Sequence, residues 1–98
     1  MKQRNAYNQL SDYKTMWNET ANGGAVTYHK TCIVEWSEHS ITLRSGGWET
    51  VTTKKKLNQS AHQFGLGFSV YQTKGNWFVD LPNGETVPFI DRITFARS

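Results

Sequence analysis

From Ala25 onward, hydrophobic and polar residues alternate along most of the chain, and one central segment interrupts this alternation with the period of a helix. Alternation places successive side chains on opposite faces of a strand, whereas an amphipathic helix needs hydrophobic residues three and four positions apart. One segment cannot satisfy both patterns. The chain is therefore limited to strands on either side of one helix, which is typical of an α+β fold with antiparallel strands.

A hairpin is predicted before the helix, with its turn near Glu38-His39. Val26 and Tyr28 are expected to open the same sheet, followed by a bend at His29-Lys30, and residues 48–51 are expected to add a short extended piece. Strict alternation places the hairpin residues on two faces, Cys32, Val34, Trp36, Ile41 and Leu43 on one, and Ile33, Glu35, Thr42 and Arg44 on the other.

The helix is predicted over residues 53–64, because Leu57, Ala61 and Phe64 recur at helical spacing. The side chain of Thr52 or Thr53 is expected to cap its first turn. Gly65 is expected to end it, with Leu66 making the hydrophobic contact that accompanies a glycine-terminated helix.

A second hairpin follows, with a turn at Lys74-Gly75-Asn76 and another turn at Pro82-Asn83-Gly84. Pro88 lacks a backbone N–H, so the strand that contains it is expected at a sheet edge. The predicted architecture is a strongly bent antiparallel sheet or a small barrel, with the helix packed on one side.

Residues 1–24 differ from the rest of the chain in being rich in Asn, Gln and Lys. Ala6, Leu10, Tyr13 and Trp17 fall on one stripe of a helix, and polar residues with two glycines follow at 18–24. This pattern predicts an N-terminal helical segment and a linker, followed by a single α+β domain over residues 25–98.

Composition excludes several classes of protein. A chain of 98 residues supports one hydrophobic core, and no run approaches the length of about 20 apolar residues that spans a bilayer. One cysteine, Cys32, cannot form an internal disulfide, and with three scattered histidines it does not make a zinc site. The acidic residues show no pairing for acid–base chemistry. We therefore expect no enzyme, no metal and no cofactor.

Three consecutive lysines, Lys54, Lys55 and Lys56, lie in the first turn of the predicted helix. The start of a helix carries partial positive charge, so cations there are locally unfavourable. A bound anion would remove the conflict, because amide N–H groups, threonine hydroxyls and ammonium groups could converge on one phosphate. The alternative is an ordinary solvated face, whose cost is small because solvent screens the charges.

Neighbouring residues extend this candidate site. Trp48, beside the flexible glycine pair at 46–47, could stack on a base or pack in the core. Tyr71 is a second candidate for stacking, and Arg44 could contact a phosphate. The predicted ligand-binding residues are Arg44, Gly46, Gly47, Trp48, Thr52, Thr53, Lys54, Lys55, Lys56 and Tyr71.

The motif Ser45-Gly46-Gly47-Trp48, followed by Thr52-Thr53-Lys54 and by the segments at 67–72 and 77–79, resembles a family of small proteins encoded by tailed bacteriophages. The resemblance covers roughly residues 25–95 and leaves out the N-terminal segment. It implies no activity. It implies a phage accessory protein that acts in the cytoplasm of the infected bacterium.

The leading hypothesis is a non-enzymatic protein that binds an anionic ligand, nucleic acid first. One alternative is a counter-defence protein that sequesters a signalling nucleotide or blocks a host protein, and another is a virion or assembly component. We expect no membrane partner. Edge strands ending near Phe95 favour a homodimer through sheet pairing.

Overall fold

The computed structural model describes residues 14–47 and 50–97. Within those residues the chain forms eight strands and one helix, in the order β1 Thr15–Thr20, β2 Gly23–Tyr28, β3 Thr31–Trp36, β4 Ser40–Leu43, α1 Val51–Gln63, β5 Ser69–Thr73, β6 Asn76–Asp80, β7 Thr86–Pro88 and β8 Ile93–Ala96. This arrangement confirms the α+β class and both predicted hairpins.

The strands form two separate antiparallel sheets rather than the single bent sheet or small barrel that was predicted. The first sheet has five strands in the order β1-β2-β3-β4-β8, and the second has three in the order β5-β6-β7. The last strand, β8, does not join the sheet of the second hairpin but pairs with β4 in the larger sheet, where Ile41 lies opposite Phe95. Pro88 lies in β7 at the edge of the smaller sheet, as its missing N–H requires.

The described part of the predicted N-terminal segment, from residue 14 onward, is not helical. Trp17 lies in β1 opposite Val26, and the residues interpreted as a linker complete a tight hairpin in which Thr20 pairs with Gly23. Ala6, Leu10 and Tyr13 lie outside the described residues. At Trp17, sheet pairing has overridden the helical spacing, as tertiary context commonly does.

The glycine at the start of β2 makes room for a core tryptophan. A Cβ atom on Gly24 would lie 2.6 Å from Cζ2 of Trp36 and 2.4 Å from the carbonyl oxygen of Asn18. Any larger residue would displace the indole ring or the neighbouring strand. Trp36 in turn packs on Phe64 at the end of α1, with 4.7 Å between ring centroids.

Because β3 contains a bulge, the prediction that its side chains alternate strictly between two faces is wrong. Val26 lies opposite Val34 but Thr27 lies opposite Cys32, so Ile33 is an extra residue with no partner across the ladder. Ile33 and Val34 are consequently both buried, at 1% and 0% exposed. Cys32 therefore leaves the face of Val34 and Trp36.

Helix α1 begins at Val51, two residues earlier than predicted, so residue 51 is helical and not extended. Its end matches the prediction. Gly65 follows the helix with a φ of +66°, and the N–H of Leu66 donates to the carbonyl of Ala61 at 2.9 Å. That bond is the six-to-one contact of a Schellman ending.

One hydrophobic cluster joins the two sheets and the helix. It contains Val26, Val34 and Ile41 from the larger sheet, Val70 and Val79 from the smaller one, and Leu57 from α1. Phe68, just before β5, also meets Phe95 of β8 edge-on at 6.0 Å. The start of α1 is thereby held against the β2–β3 turn, where the candidate site lies.

Candidate functional site

The cap of α1 is provided by Thr50, not by Thr52 or Thr53 as predicted. Oγ1 of Thr50 accepts a hydrogen bond from the N–H of Thr53 at 3.2 Å, and its hydroxyl lies 3.2 Å from Oγ1 of Thr53. Thr53 is buried at 1% exposed, whereas Thr52 is exposed. The helix therefore starts with two hydroxyl groups in contact, those of Thr50 and Thr53, and with the exposed Thr52 between them in sequence.

A cleft of about 600 Å³ lies between this helix start and the β2–β3 turn. The described residues that line it are Tyr28, His29, Lys30, Thr31, Ile33, Ser45, Thr50, Thr52 and Thr53. This lining combines hydroxyl groups, one ammonium group, two rings and a hydrocarbon floor, and no carboxylate belongs to it. Such a surface can hold a ligand that carries both an anionic and an apolar part.

Tyr28 is held in place at the cleft by two contacts. Its ring centroid lies 4.4 Å from that of His29, and Nζ of Lys56 lies 5.1 Å from the centroid of the tyrosine ring. The Lys56 side chain is only 3% exposed, so its ammonium group interacts with the ring away from bulk water.

The three lysines do not converge on one point. Nζ of Lys54 donates to Oε1 of Gln72 at 3.4 Å and lies 5.9 Å from the centroid of the Trp77 ring, so it reaches the smaller sheet. Lys56 reaches Tyr28 in the larger sheet, and Lys55 is exposed. Successive helical positions diverge by about 100°, which separates the three side chains.

The glycine loop before the helix is anchored from two directions. The N–H of Ser45 donates to Oδ1 of Asp91, and Oγ of Ser45 accepts from the N–H of Gly47 at 3.1 Å. Gly46 has a φ of +64°, and a Cβ there would lie 2.7 Å from Oγ1 of Thr31. The loop therefore packs against Thr31 of β3, and its residue Ser45 is part of the cleft lining.

The remaining predicted site residues lie elsewhere. Arg44 forms an ion pair with Glu35 at 3.2 Å. Tyr71 lies in β5 and stacks on Phe78, with 5.8 Å between centroids. Neither belongs to the cleft lining, and Trp48 lies outside the described residues.

Sequence reasoning missed Tyr28, His29 and Lys30 as site residues. Their only signal was a predicted bend, which does not reveal that the bend meets the start of a helix more than 20 residues away. Three polar residues of α1 differ widely in exposure and in their contacts. Asn58 bonds to β5 and Gln59 is buried, while His62 is exposed.

Two features are absent from the described residues. No group of three His, Cys, Asp or Glu side chains among them could hold a metal ion. No helix in that part of the chain has both the length and the apolar character to cross a membrane.

Comparison with known proteins places the chain in a viral family. Neither the search of curated proteins nor the search of solved structures found a match. A family model described as Kyanoviridae Gp96 protein matches residues 2–96, including N-terminal residues that lay outside the resemblance noted in the sequence. The chain therefore belongs to the Kyanoviridae Gp96 family, a family of tailed-cyanophage proteins.

Proposed function

We propose that this phage protein is a non-enzymatic accessory protein that binds a phosphate-bearing ligand, nucleic acid first, in the cleft at the start of α1. It would act in the cytoplasm of the infected bacterium. The observation that carries the proposal is the cleft itself, in which the hydroxyls of Thr50, Thr52 and Thr53 share one lining with Lys30 and Tyr28.

The charge distribution supports an anionic ligand. The chain has a formal net charge of +3. The start of α1 adds its partial positive charge to that of Lys30 in the cleft lining, and Lys56 places a buried ammonium group beside Tyr28. The carboxylate of Asp91, which contacts the lining residue Ser45, accepts a hydrogen bond from its N–H.

The test measures binding of labelled single-stranded and duplex oligonucleotides at low salt by fluorescence anisotropy. Lys30→Gln is the informative variant, because Lys30 is exposed at the cleft whereas Lys56 is buried and its replacement would disturb the core. We expect severalfold weaker binding, and a salt dependence of log K that is shallower by about 0.7 for a single strand.

Lys74→Gln is the matched control. Lys74 is exposed in the β5–β6 turn and lies outside the cleft lining, so this substitution removes the same charge without changing the cleft. We expect that variant to bind like the wild type. Absence of binding by the wild type, or equal weakening by both variants, would contradict the proposal.

A second role, in assembly, is favoured by the edge strand β1. Among the described residues β1 pairs only with β2, and its Met16 and Trp17 side chains are 74% and 38% exposed. Exposed apolar residues on an edge without proline favour pairing with another chain, here a second copy.

Sedimentation velocity across the micromolar range tests this role. We expect a dimer for the wild type and a monomer for Trp17→Lys. Ala96→Lys, on the opposite edge strand β8, is the control and should remain dimeric. A wild-type monomer at all concentrations would rule the assembly role out.

A further inference from the structure

We propose that the cleft accepts a nucleotide with its base inserted against Tyr28, presented either free or in a single strand and not in a duplex. This inference rests on the proposed function and names the part of the ligand that the cleft selects. It follows from the size of the cleft, the two kinds of surface that line it and the fixed position of the tyrosine ring.

The cleft is large enough for a base and its phosphate. Its volume of about 600 Å³ falls within the range of small-molecule sites. In a duplex, however, each base is covered on both faces by its neighbours, so only an unstacked base can enter such a space.

The lining is divided between two kinds of surface. The β2–β3 hairpin contributes the Tyr28 ring and the buried Ile33 side chain, and the helix start contributes threonine hydroxyls. A bare phosphate would satisfy only the hydroxyls and would leave the exposed part of the half-buried Tyr28 ring in contact with water. A nucleotide matches both, because its base covers apolar surface while its phosphate accepts hydrogen bonds.

The Tyr28 ring has two neighbours that restrict its orientation. The His29 ring at 4.4 Å and the Lys56 ammonium group at 5.1 Å fix its orientation. A ring held in advance loses little further freedom when a base stacks on it, so stacking contributes more of its energy to binding.

The first experiment compares five probes on the full chain at one salt concentration: a single-stranded oligothymidine, an abasic strand of the same length, a blunt duplex, ATP and inorganic tripolyphosphate. We expect at least one base-bearing probe, oligothymidine or ATP, to bind about 10-fold tighter than its base-free counterpart, and the duplex to bind weakly. Oligothymidine and ATP distinguish a strand from a free nucleotide as the source.

The outcomes separate the two proposals. Equal affinity for base-bearing and base-free probes, or preference for the duplex, would overturn base insertion and leave phosphate binding in place. No binding of any probe would overturn the proposed function as well.

The second experiment replaces the ring. We expect Tyr28→Leu to lose about 10-fold in affinity for the base-bearing probe and nothing for tripolyphosphate, and Tyr28→Phe to retain both. If Tyr28→Leu does not fold, nuclear magnetic resonance of the wild type decides the question. The Tyr28 ring protons should shift upfield when the base-bearing probe is added, and unchanged ring protons at saturation would overturn the inference.

Discussion

Asn58 acts as a substitute for a neighbouring strand. Its Nδ2 donates to the carbonyl of Val70 at 2.8 Å, and its Oδ1 accepts from the N–H of the same residue at 2.7 Å. Val70 lies in β5, an edge strand whose outward backbone groups would otherwise need water or another chain. One amide side chain therefore closes this part of the sheet edge and fixes α1 against it.

Asn58→Ala should lower the free energy of unfolding by about 2 kcal/mol, because it leaves two half-buried backbone groups of Val70 without partners. Urea unfolding followed by circular dichroism measures the change. Asn76→Ala, at an exposed position in β6, is the control and should change stability by less than about 0.5 kcal/mol. Equal effects of the two substitutions would contradict the role given to Asn58.

Cys32 lies on the outer side of the bulge, where burial raises the pKa of its thiol, the negative charge of Glu35 raises it further and Arg44 opposes both. The unfolded thiol ionises near its ordinary pKa of about 8.5. Above that pH the unfolded state loses its proton while the folded state keeps it. The thiol therefore contributes stability that is present below about pH 8.5 and is lost as the pH rises toward the raised pKa of the folded state.

Comparison of melting temperatures between the wild type and Cys32→Ser checks this dependence. We expect the wild type to lose stability relative to the serine variant between pH 8 and pH 10, since serine does not titrate there. A difference that stays constant over that range would show that the thiol has the same pKa in both states.

At the scale of elements, the ends of α1 show what local sequence can and cannot predict. Its end was predictable because Gly65 and Leu66 form a signal within a few residues. Its start was placed two residues late because threonines at 50, 52 and 53 are all competent caps. In the structure Thr50 caps the helix, because its side chain accepts a hydrogen bond from the N–H of Thr53. The Thr53 side chain itself is buried.

Thr50→Ala should destabilise the protein by about 1 kcal/mol, since it removes the cap of α1. Thr50→Ser, which keeps the hydroxyl, should retain most of the stability. Thr52→Ala alters an exposed threonine that does not cap the helix and is the matched control. Thermal unfolding measures the stability of all three variants. A larger loss of stability for Thr52→Ala than for Thr50→Ala would show that Thr50 is not the cap.

The strands show the same limit. The hairpin of β3 and β4 followed from alternation, yet alternation could not show that Ile33 is an inserted residue, because a bulge depends on the partner strand. Trp17, the last residue of the predicted helical stripe, likewise pairs with β2. The periodicity of a segment is visible in its own sequence, whereas the register of a strand depends on the partner strand as well.

At the scale of the whole molecule, the α+β class was predictable and the division into two sheets was not. The pairing of Ser40 with Ala96 joins segments 56 positions apart, and no local signal marks it. The candidate site likewise depends on contacts between segments that are distant in sequence. Its threonines were predictable at a helix start, but its Tyr28 wall depends on how the β2–β3 turn meets that helix.

The shared core predicts that both sheets unfold together. Val26 in the larger sheet and Val79 in the smaller one belong to the same buried cluster, which Leu57 of α1 connects. Urea titration followed through the methyl resonances of Val26 and Val79 should give coincident midpoints. Separate midpoints would show that the smaller sheet and the helix form an independent unit.

The bulge at Ile33 has a consequence for variation within the family. The side chain that floors the cleft is set by an insertion in the backbone, not by the choice of residue at an alternating position. A relative that lacks the inserted residue would keep Cys32 opposite Thr27, on the face away from Val34, and would lose the side chain that floors the cleft. A single-codon deletion would thus deepen the cleft while every other lining residue kept its identity.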